Sequence, residues 1–498
     1  MAAIIIYVLL TLIAVCYLSD WLSSLFDGPE APPRVHARVP LIGHALGLYF
    51  KGASYYTDLS ARQSSEIYTI NILHLKIYVV NSRHLIPLVQ RHSKTLSFTP
   101  FQKVVARDVS GCGTLTVGLH DDELFMRDFM RATREALAPG VHLDYQNRRA
   151  VVSLEEMLGG MGGEGGRLRL YEWVKHVITV ASSDGVYGRR NPFRDEGVEK
   201  AFWTWHDGTP AMATGFSIFV PAAVRARQFL VDAIKKYHRG DFSDAAQVTK
   251  ERIRVLREYG VSEDDVARMQ LSFNIALLPN SVPTTFWVIF NTFSHPNLFL
   301  RLREELERKA VKRSDGKRYG LDVSALKTKC PLLLSIFEET QRHQTVHANI
   351  RVVEEDTRLN SWHLQKGNFL QIPNQPIHFN KDLWGDDYEV FNPNRFQARK
   401  DGASSNSFLA WGAAPHLCPA RQFASTEILV MLALLVLRVD LVPVGGIWGR
   451  PDPKYGEATT ILAPGGDVEV GVALRDEWVG EWVIEMGDSR AKVPLASG

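Results

Sequence analysis

Residues 408–424 read FLAWGAAPHLCPARQFA. One cysteine, Cys418, stands in a segment of Gly, Ala and Pro, and an apolar run, ILVMLALLVL at 428–437, follows it. That run predicts a buried helix. A thiol just ahead of a helix N-terminus meets free N–H groups and the positive end of the dipole, which favour thiolate. Gly412, Ala413 and Ala414 are small enough for backbone amides to approach a sulfur or a flat ligand. The pattern suits a cysteine that ligates a metal centre through one sulfur. The competing reading is a buried structural cysteine in a turn. The rest of the chain decides between them.

The sequence has 498 residues, enough for a large core. With 45% hydrophobic and 22% charged residues it has ordinary globular composition. A net charge of +2 gives no reason to expect a nucleic-acid or polyanion partner. The four cysteines, Cys16, Cys112, Cys330 and Cys418, form no CxxC pair and no zinc-like spacing. So few cysteines in so long a chain are no disulfide scaffold, and the bulk of the protein is expected in a reducing compartment.

Residues 1–18 are uncharged and almost wholly apolar, and apolar residues continue to Phe26. That is the length of a membrane helix. A cleaved signal peptide fits less well, because no basic residue precedes the apolar run and no clear cleavage site follows it. The first basic residues, Arg34 and Arg38, come after the span, which puts the body on the cytosolic side. The expected division is an anchor at 1–26, a proline-rich hinge at 27–40 and one domain at 41–498. That domain is expected to be mainly helical with a minor β part.

Within it, residues 68–80 (YTINILHLKIYVV) predict paired strands. Residues 98–109 read as irregular, and 123–137 as a helix carrying Arg127, Arg131 and Arg134. The glycine-rich 158–166 (LGGMGGEGG) lacks the Lys-Ser/Thr of a phosphate loop. Helical patterns dominate after Leu168, broken by the aromatic stretch 202–221. Residues 269–290 (MQLSFNIALLPNSVPTTFWVIF) form a long apolar helix with Pro279 and Pro283 inside it. The prolines predict a kink, with Asn280, Ser281, Thr284 and Thr285 gathered at the break. Pro331 opens another helix, on which Glu339 and Arg342 lie three apart and can pair. Strands are expected at 351–353 and 367–372. A long coil at 376–396, ending in FNPNRF, needs pinning by side chains. Arg395, paired with Glu339, is the candidate pin.

In this order the pieces resemble the cytochrome P450 family of haem-thiolate proteins. The match spans the anchor, the hinge, the long central helix, Glu339-Thr-Gln-Arg342, Phe391-Asn-Pro-Asn-Arg-Phe396 and the Cys418 loop. The resemblance implies haem b, with Cys418 as its axial iron ligand. It implies that Glu339, Arg342 and Arg395 lock the coil beside the haem. It implies that His416 and Arg351 contact the propionates and that Trp411 packs against haem and sulfur. Two positions where the family usually has glycine hold Ala414 and Ala420. Most members carry an acid followed by Thr in the central helix for proton delivery; here Pro279 and Asn280 stand in that place. That helix is similar to the branch holding sterol 7α- and 12α-hydroxylases and prostacyclin synthase.

Three functional readings follow. The first is a monooxygenase in the endoplasmic reticulum membrane, taking electrons from NADPH-cytochrome P450 reductase. It would oxidise an apolar small molecule of steroid, terpenoid, polyketide or fatty-acid type, in secondary-metabolite biosynthesis of fungal character. Asn280 and Thr284 would handle its proton. The second is a non-redox isomerase or dehydratase, motivated by the missing acid–alcohol pair. The third is a haem-binding protein without turnover.

Overall fold

The apolar run after Cys418 lies within a helix, Arg421–Arg438, whose residues 425–437 are all buried. A helix apolar on every side belongs in the middle of a large body. This one packs among the helices Val141–Gly159, Ser281–Phe293 and Pro296–Lys309. The computed structural model describes residues 2–496 except 26, 41, 73–74, 162–165, 315, 399–406 and 456–458. The body is mainly helical, and its largest sheet has five strands.

Residues Ile67–Ile72 and Leu75–Val80 form an antiparallel hairpin with Ile67 opposite Val80. Phe369–Pro373 adds parallel to Leu75–Val80, then Ala348–Val353 and Leu96–Ser97 add antiparallel. Residues 27–40 are not a free link. Val35 N donates to Thr69 O at 2.8 Å and Thr69 N to Pro33 O at 2.9 Å, so the segment lies along the edge of this sheet. Prolines suit an edge, because they have no N–H to leave unpaired. Asp27 accepts from Arg34 and from Lys76, which fixes the start of the segment. An N-terminal helix, Ala2–Ser24, precedes it, with Val15, Leu18 and Trp21 exposed.

Three expectations are corrected. Residues 98–109 are helical, with Thr99–Val104 running into a wider-wound turn at Val105–Val109; Pro100 sits at the start, where a missing N–H costs nothing. The stretch 202–221 does not interrupt a helix until Ala213, because Glu196–Ala213 carries Pro210 only in its last turn. The coil at 376–396 begins as two short helices, Asn374–His378 and Lys381–Trp384, and is irregular only from Gly385 to Asn394. Four residues of the glycine-rich loop, 162–165, lie outside the described residues.

The central helix is interrupted where the prolines predict a kink, with Val282 N still donating to Leu278 O across the irregular turn. Glu263–Leu277 ends, and Ser281–Phe293 begins after residues 278–280. Pro279 and Pro283 each remove an N–H from the ladder, which is enough to part the two pieces. Ser281, Thr284 and Thr285 return their hydroxyls to the carbonyls of Leu277, Asn280 and Ser281.

One buried acid sets a pH dependence. Glu427, 1% exposed, accepts from Ser182 Oγ at 2.7 Å while its Oε1 has no partner. Burial pushes its carboxyl up from 4.5 to about 8. Below pH 4.5 the group is protonated in both folded and unfolded chains and contributes nothing. Between there and about 8 the unfolded chain has lost a proton that the fold retains, so stability falls as pH rises. Glu427→Gln keeps the acceptor for Ser182 and removes the titration. Its thermal midpoint is expected to rise relative to the parent from pH 5 to pH 8; a difference independent of pH would contradict this assignment.

Candidate functional site

The cysteine segment folds as a tight loop closed by its own backbone. Cys418 N donates to Trp411 O at 2.9 Å, and His416 N to Ala413 O at 3.1 Å. Gly412 has φ +91°, and a Cβ there would stand 3.0 Å from His416 O, so only glycine fits. Ala420 has φ −87°, and Ala414 is not among the residues with positive φ. Neither alanine is strained where the family usually has glycine.

Cys418 lies three residues ahead of the Arg421–Arg438 helix and faces a cavity. The Ala420 amide and Arg421 favour thiolate, but burial outweighs them and pushes the thiol up. The helix start alone therefore does not ionise the sulfur; a cation facing it would.

The cavity also receives Trp411, His416, Arg351, Asn280, Thr284 and Thr460. Arg351 is 4% exposed, and its guanidinium donates only to backbone, to Ile350 O at 2.7 Å and Ala413 O at 3.4 Å. Burial without a carboxylate lowers it to about 10. Burial, with Arg351 and Arg134 nearby, lowers His416 to about 4. His416 Nε2 and Trp411 Nε1 are buried and find no partner in the protein. Among the described residues no Asp or Glu lines the cavity. A cation and unpaired polar nitrogens around one thiol fit a flat group that carries both a metal cation and carboxylates.

Glu339, Arg342 and Arg395 come together. Arg342 and Glu339 are both 0% exposed and pair in a fork, Nε to Oε2 at 2.7 Å and Nη2 to Oε1 at 2.8 Å. Arg395 Nε reaches both oxygens of Glu339 at 3.1 Å. Its other nitrogens donate to Trp384 O, Asp387 O, Val390 O and Asp387 Oδ1. Asn392 N donates to Glu339 Oε1 at 3.0 Å, which closes the irregular coil onto the same acid.

His378, which the sequence reading passed over, joins this network to the cysteine loop. Its carbonyl accepts from Arg342 Nη1 at 2.6 Å, and its Nε2 accepts from Leu409 N at 2.9 Å. Asn374 Nδ2 donates to Leu409 O at 2.9 Å, so both backbone groups of Leu409 are held. The only local signal was polar Asn374 and His378 within NQPIH. Asn280 and Thr284 also meet: Thr284 Oγ donates to Asn280 O at 2.6 Å. Asn280 Oδ1 accepts from Thr460 N at 2.7 Å, which leaves the amide Nδ2 as its donor. The aromatic stretch 202–219 does not line this cavity; Phe202, Trp205 and Met212 pack into a core that meets the cavity at Leu277 and Phe423. Of the helical arginines, Arg127 and Arg131 pair with Asp128, and Arg134 is exposed.

The family model for cytochrome P450 matches residues 222–446. A cytochrome P450 monooxygenase, nodJ, of Hypoxylon pulicicidum is 32% identical across 100% of both chains. The chain belongs to the cytochrome P450 family. It is also similar to a cytochrome P450 monooxygenase of Gibberella zeae, 26% identical over 92% of this chain and 91% of that one. Mouse cytochrome P450 7B1 is 24% identical over 83% and 85%. The cofactor of this P450 is haem held by a cysteine thiolate, and its activity is haem-thiolate monooxygenation with a redox partner and a small-molecule substrate. Nothing in these comparisons supports the isomerase or the non-catalytic reading.

The shared carboxylate is the most exacting contact at this site. Glu339→Ala leaves two buried guanidiniums facing each other and is expected to cost about 3–5 kcal/mol. Urea unfolding measures it; a loss below about 1 kcal/mol would show that the arginines find other partners.

Proposed function

We propose that Cys418 would hold the haem iron of this monooxygenase through its sulfur and that the cavity beside it is where an apolar small molecule is oxidised. The observation that carries this reading is the joint placement of Cys418 and the carboxylate-free cation Arg351 around one cavity. Bound there, haem supplies activation of molecular oxygen.

The chain's own residues then divide the work. Arg351, with His416 beside it, would hold the haem carboxylates by charge-assisted bonds. Trp411 packs on the sulfur side, against Phe337 at 6.4 Å. Glu339, Arg342 and Arg395 keep the coil and, through His378, the cysteine loop in register. On the opposite wall Thr284 is committed to Asn280 O, so the donor toward the cavity is the Asn280 amide. It holds a proton-carrying water in place of the acid found in most relatives.

Apolar lining from Phe98, Ala276, Leu277, Ile350 and Ile461 supports a steroid, terpenoid, polyketide or fatty-acid substrate. The fungal origin of the monooxygenases from Hypoxylon and Gibberella supports a place in secondary-metabolite biosynthesis. The electron donor in this reading is NADPH-cytochrome P450 reductase. Residues 1–26 anchor the chain once in the endoplasmic reticulum membrane, 27–40 fasten the anchor to the body, and 41–498 form the cytosolic catalytic domain. The apolar helix Ala2–Ser24, exposed at Val15, Leu18 and Trp21, supports the anchor.

Carbon monoxide difference spectra on membranes carrying this chain and a reductase test the centre. The thiolate band is expected with dithionite and with NADPH alone, and Cys418→Ala is expected to abolish it; a retained band would move the ligand elsewhere. A band with dithionite but none with NADPH, in the presence of an active reductase, would speak against that partner. Deleting residues 1–26 is expected to shift most of the protein from the membrane pellet to the supernatant; full retention would refute the anchor.

A further inference from the structure

Residues 488–496 run across the back of the cysteine loop. The strand Glu481–Glu485 pairs with Arg318–Asp322, and the chain then turns at Asp488–Ala491 and continues without regular structure. A terminus of this kind ordinarily frays. Here Gln422 grips Val493 at both backbone groups: Val493 N donates to Oε1 at 2.8 Å, and Nε2 donates to Val493 O at 3.0 Å. Three residues on, Ala496 N donates to Glu338 Oε1 at 2.6 Å. The Val493 side chain is 3% exposed within the main core, and Leu495 packs beside it.

The points of attachment matter more than their number. Gln422 stands four positions after Cys418, in the first turn of the helix that follows the sulfur. Ala496 packs against the cluster of Trp384, Phe408 and Ala410, at the opposite end of the same loop. Glu338 is the neighbour of Glu339 in the chain. The loop is closed by its own backbone, at Cys418 N to Trp411 O and at His416 N to Ala413 O. A segment that packs where the loop begins, beside Phe408 and Ala410, and is gripped by Gln422 where it ends opposes opening of those bonds.

We propose that the C-terminal segment, residues 488–496, is a strap that positions the sulfur loop, with Gln422 as its clamp, so that Cys418 stays a thiolate ligand only while the strap is docked. This rests on the reading of Cys418 as the iron ligand. Gln422 and the strap touch neither substrate nor haem in this account; they act through the loop.

The test uses the full-length holoenzyme, reduced and bound to carbon monoxide. Gln422→Leu keeps the volume and removes both bonds to Val493; Leu495→Ser weakens the strap without touching the loop. Two quantities are read: amide hydrogen exchange at residues 490–496, and the rate at which the thiolate band converts to the neutral-thiol band. In both variants exchange is expected to rise, and conversion to quicken on the order of tenfold, while Glu338→Gln, which keeps its acceptor oxygen, matches the parent. Faster exchange with an unchanged band lifetime would show a strap that does not govern the loop. Faster conversion without faster exchange would assign the effect to Gln422 alone. No change in either quantity would show that the clamp does not hold the segment; each of these three results overturns the proposal. Cys418→Ala, run alongside, separates the two claims: a thiolate band that survives it sinks the ligand reading, whatever the strap does.

Discussion

One carboxylate, Glu339, stands between two guanidiniums in a part of the protein that water does not reach. Ionised groups that deep are tolerated only when paired and when their remaining donors are satisfied. The surplus N–H groups of Arg342 and Arg395 therefore take carbonyls from His378, Trp384, Asp387 and Val390. Each of those carbonyls lies in the stretch between the last strand of the large sheet and the cysteine loop. Much of that stretch has no ladder of its own, so its shape is set by where two arginines need acceptors. His378 carries the constraint one step further, because the residue that offers its carbonyl to Arg342 offers its ring to Leu409.

The cysteine loop inherits a rigid base on that side and an unfinished face on the other. Toward the cavity it turns a sulfur whose thiol is pushed up by its surroundings, a tryptophan nitrogen and a histidine nitrogen without partners among the described residues, and the neighbouring cation Arg351. Buried polar atoms of this kind are costly in a finished core and are satisfied by the group they were built around. In the proposed reading haem would meet both needs, its iron as a cation for the sulfur and its propionates as acceptors for His416 and the guanidinium.

Across the cavity the central helix shows what the missing acid–alcohol pair changes. With Pro279 and Pro283 in place the helix separates into two, and the hydroxyls of Ser281, Thr284 and Thr285 turn back to its own carbonyls. Thr284 is thus present in the cavity but spends its proton locally. Asn280 is fixed from outside the helix, by Thr460 N, which ties the break to the segment between Thr459 and Leu462. In the proposed reading the chemistry of this wall would depend on an amide held by a distant loop, a different solution from two side chains on one helix.

The sequence by itself determined the elements whose pattern is local. The buried helix after Cys418, the hairpin at 67–80, the helix opened by Pro331 and the break at two prolines all follow from periodicity and from proline's missing donor. It also determined the family, because the motifs stand in order along the chain. What it did not carry were the contacts between segments far apart in sequence: His378 between triad and loop, Asn374 on Leu409, Thr460 on Asn280, Gln422 on Val493. The short helices within 374–384 and the helix at 99–104 were hidden for the same reason, since short segments take their shape from what packs on them rather than from propensity. Only the tertiary structure decided that Arg351 has no carboxylate partner and that Cys418 is not ionised by its helix alone. Both are statements about what surrounds a group in space, and burial, which fixes their charge, is a property of the folded whole.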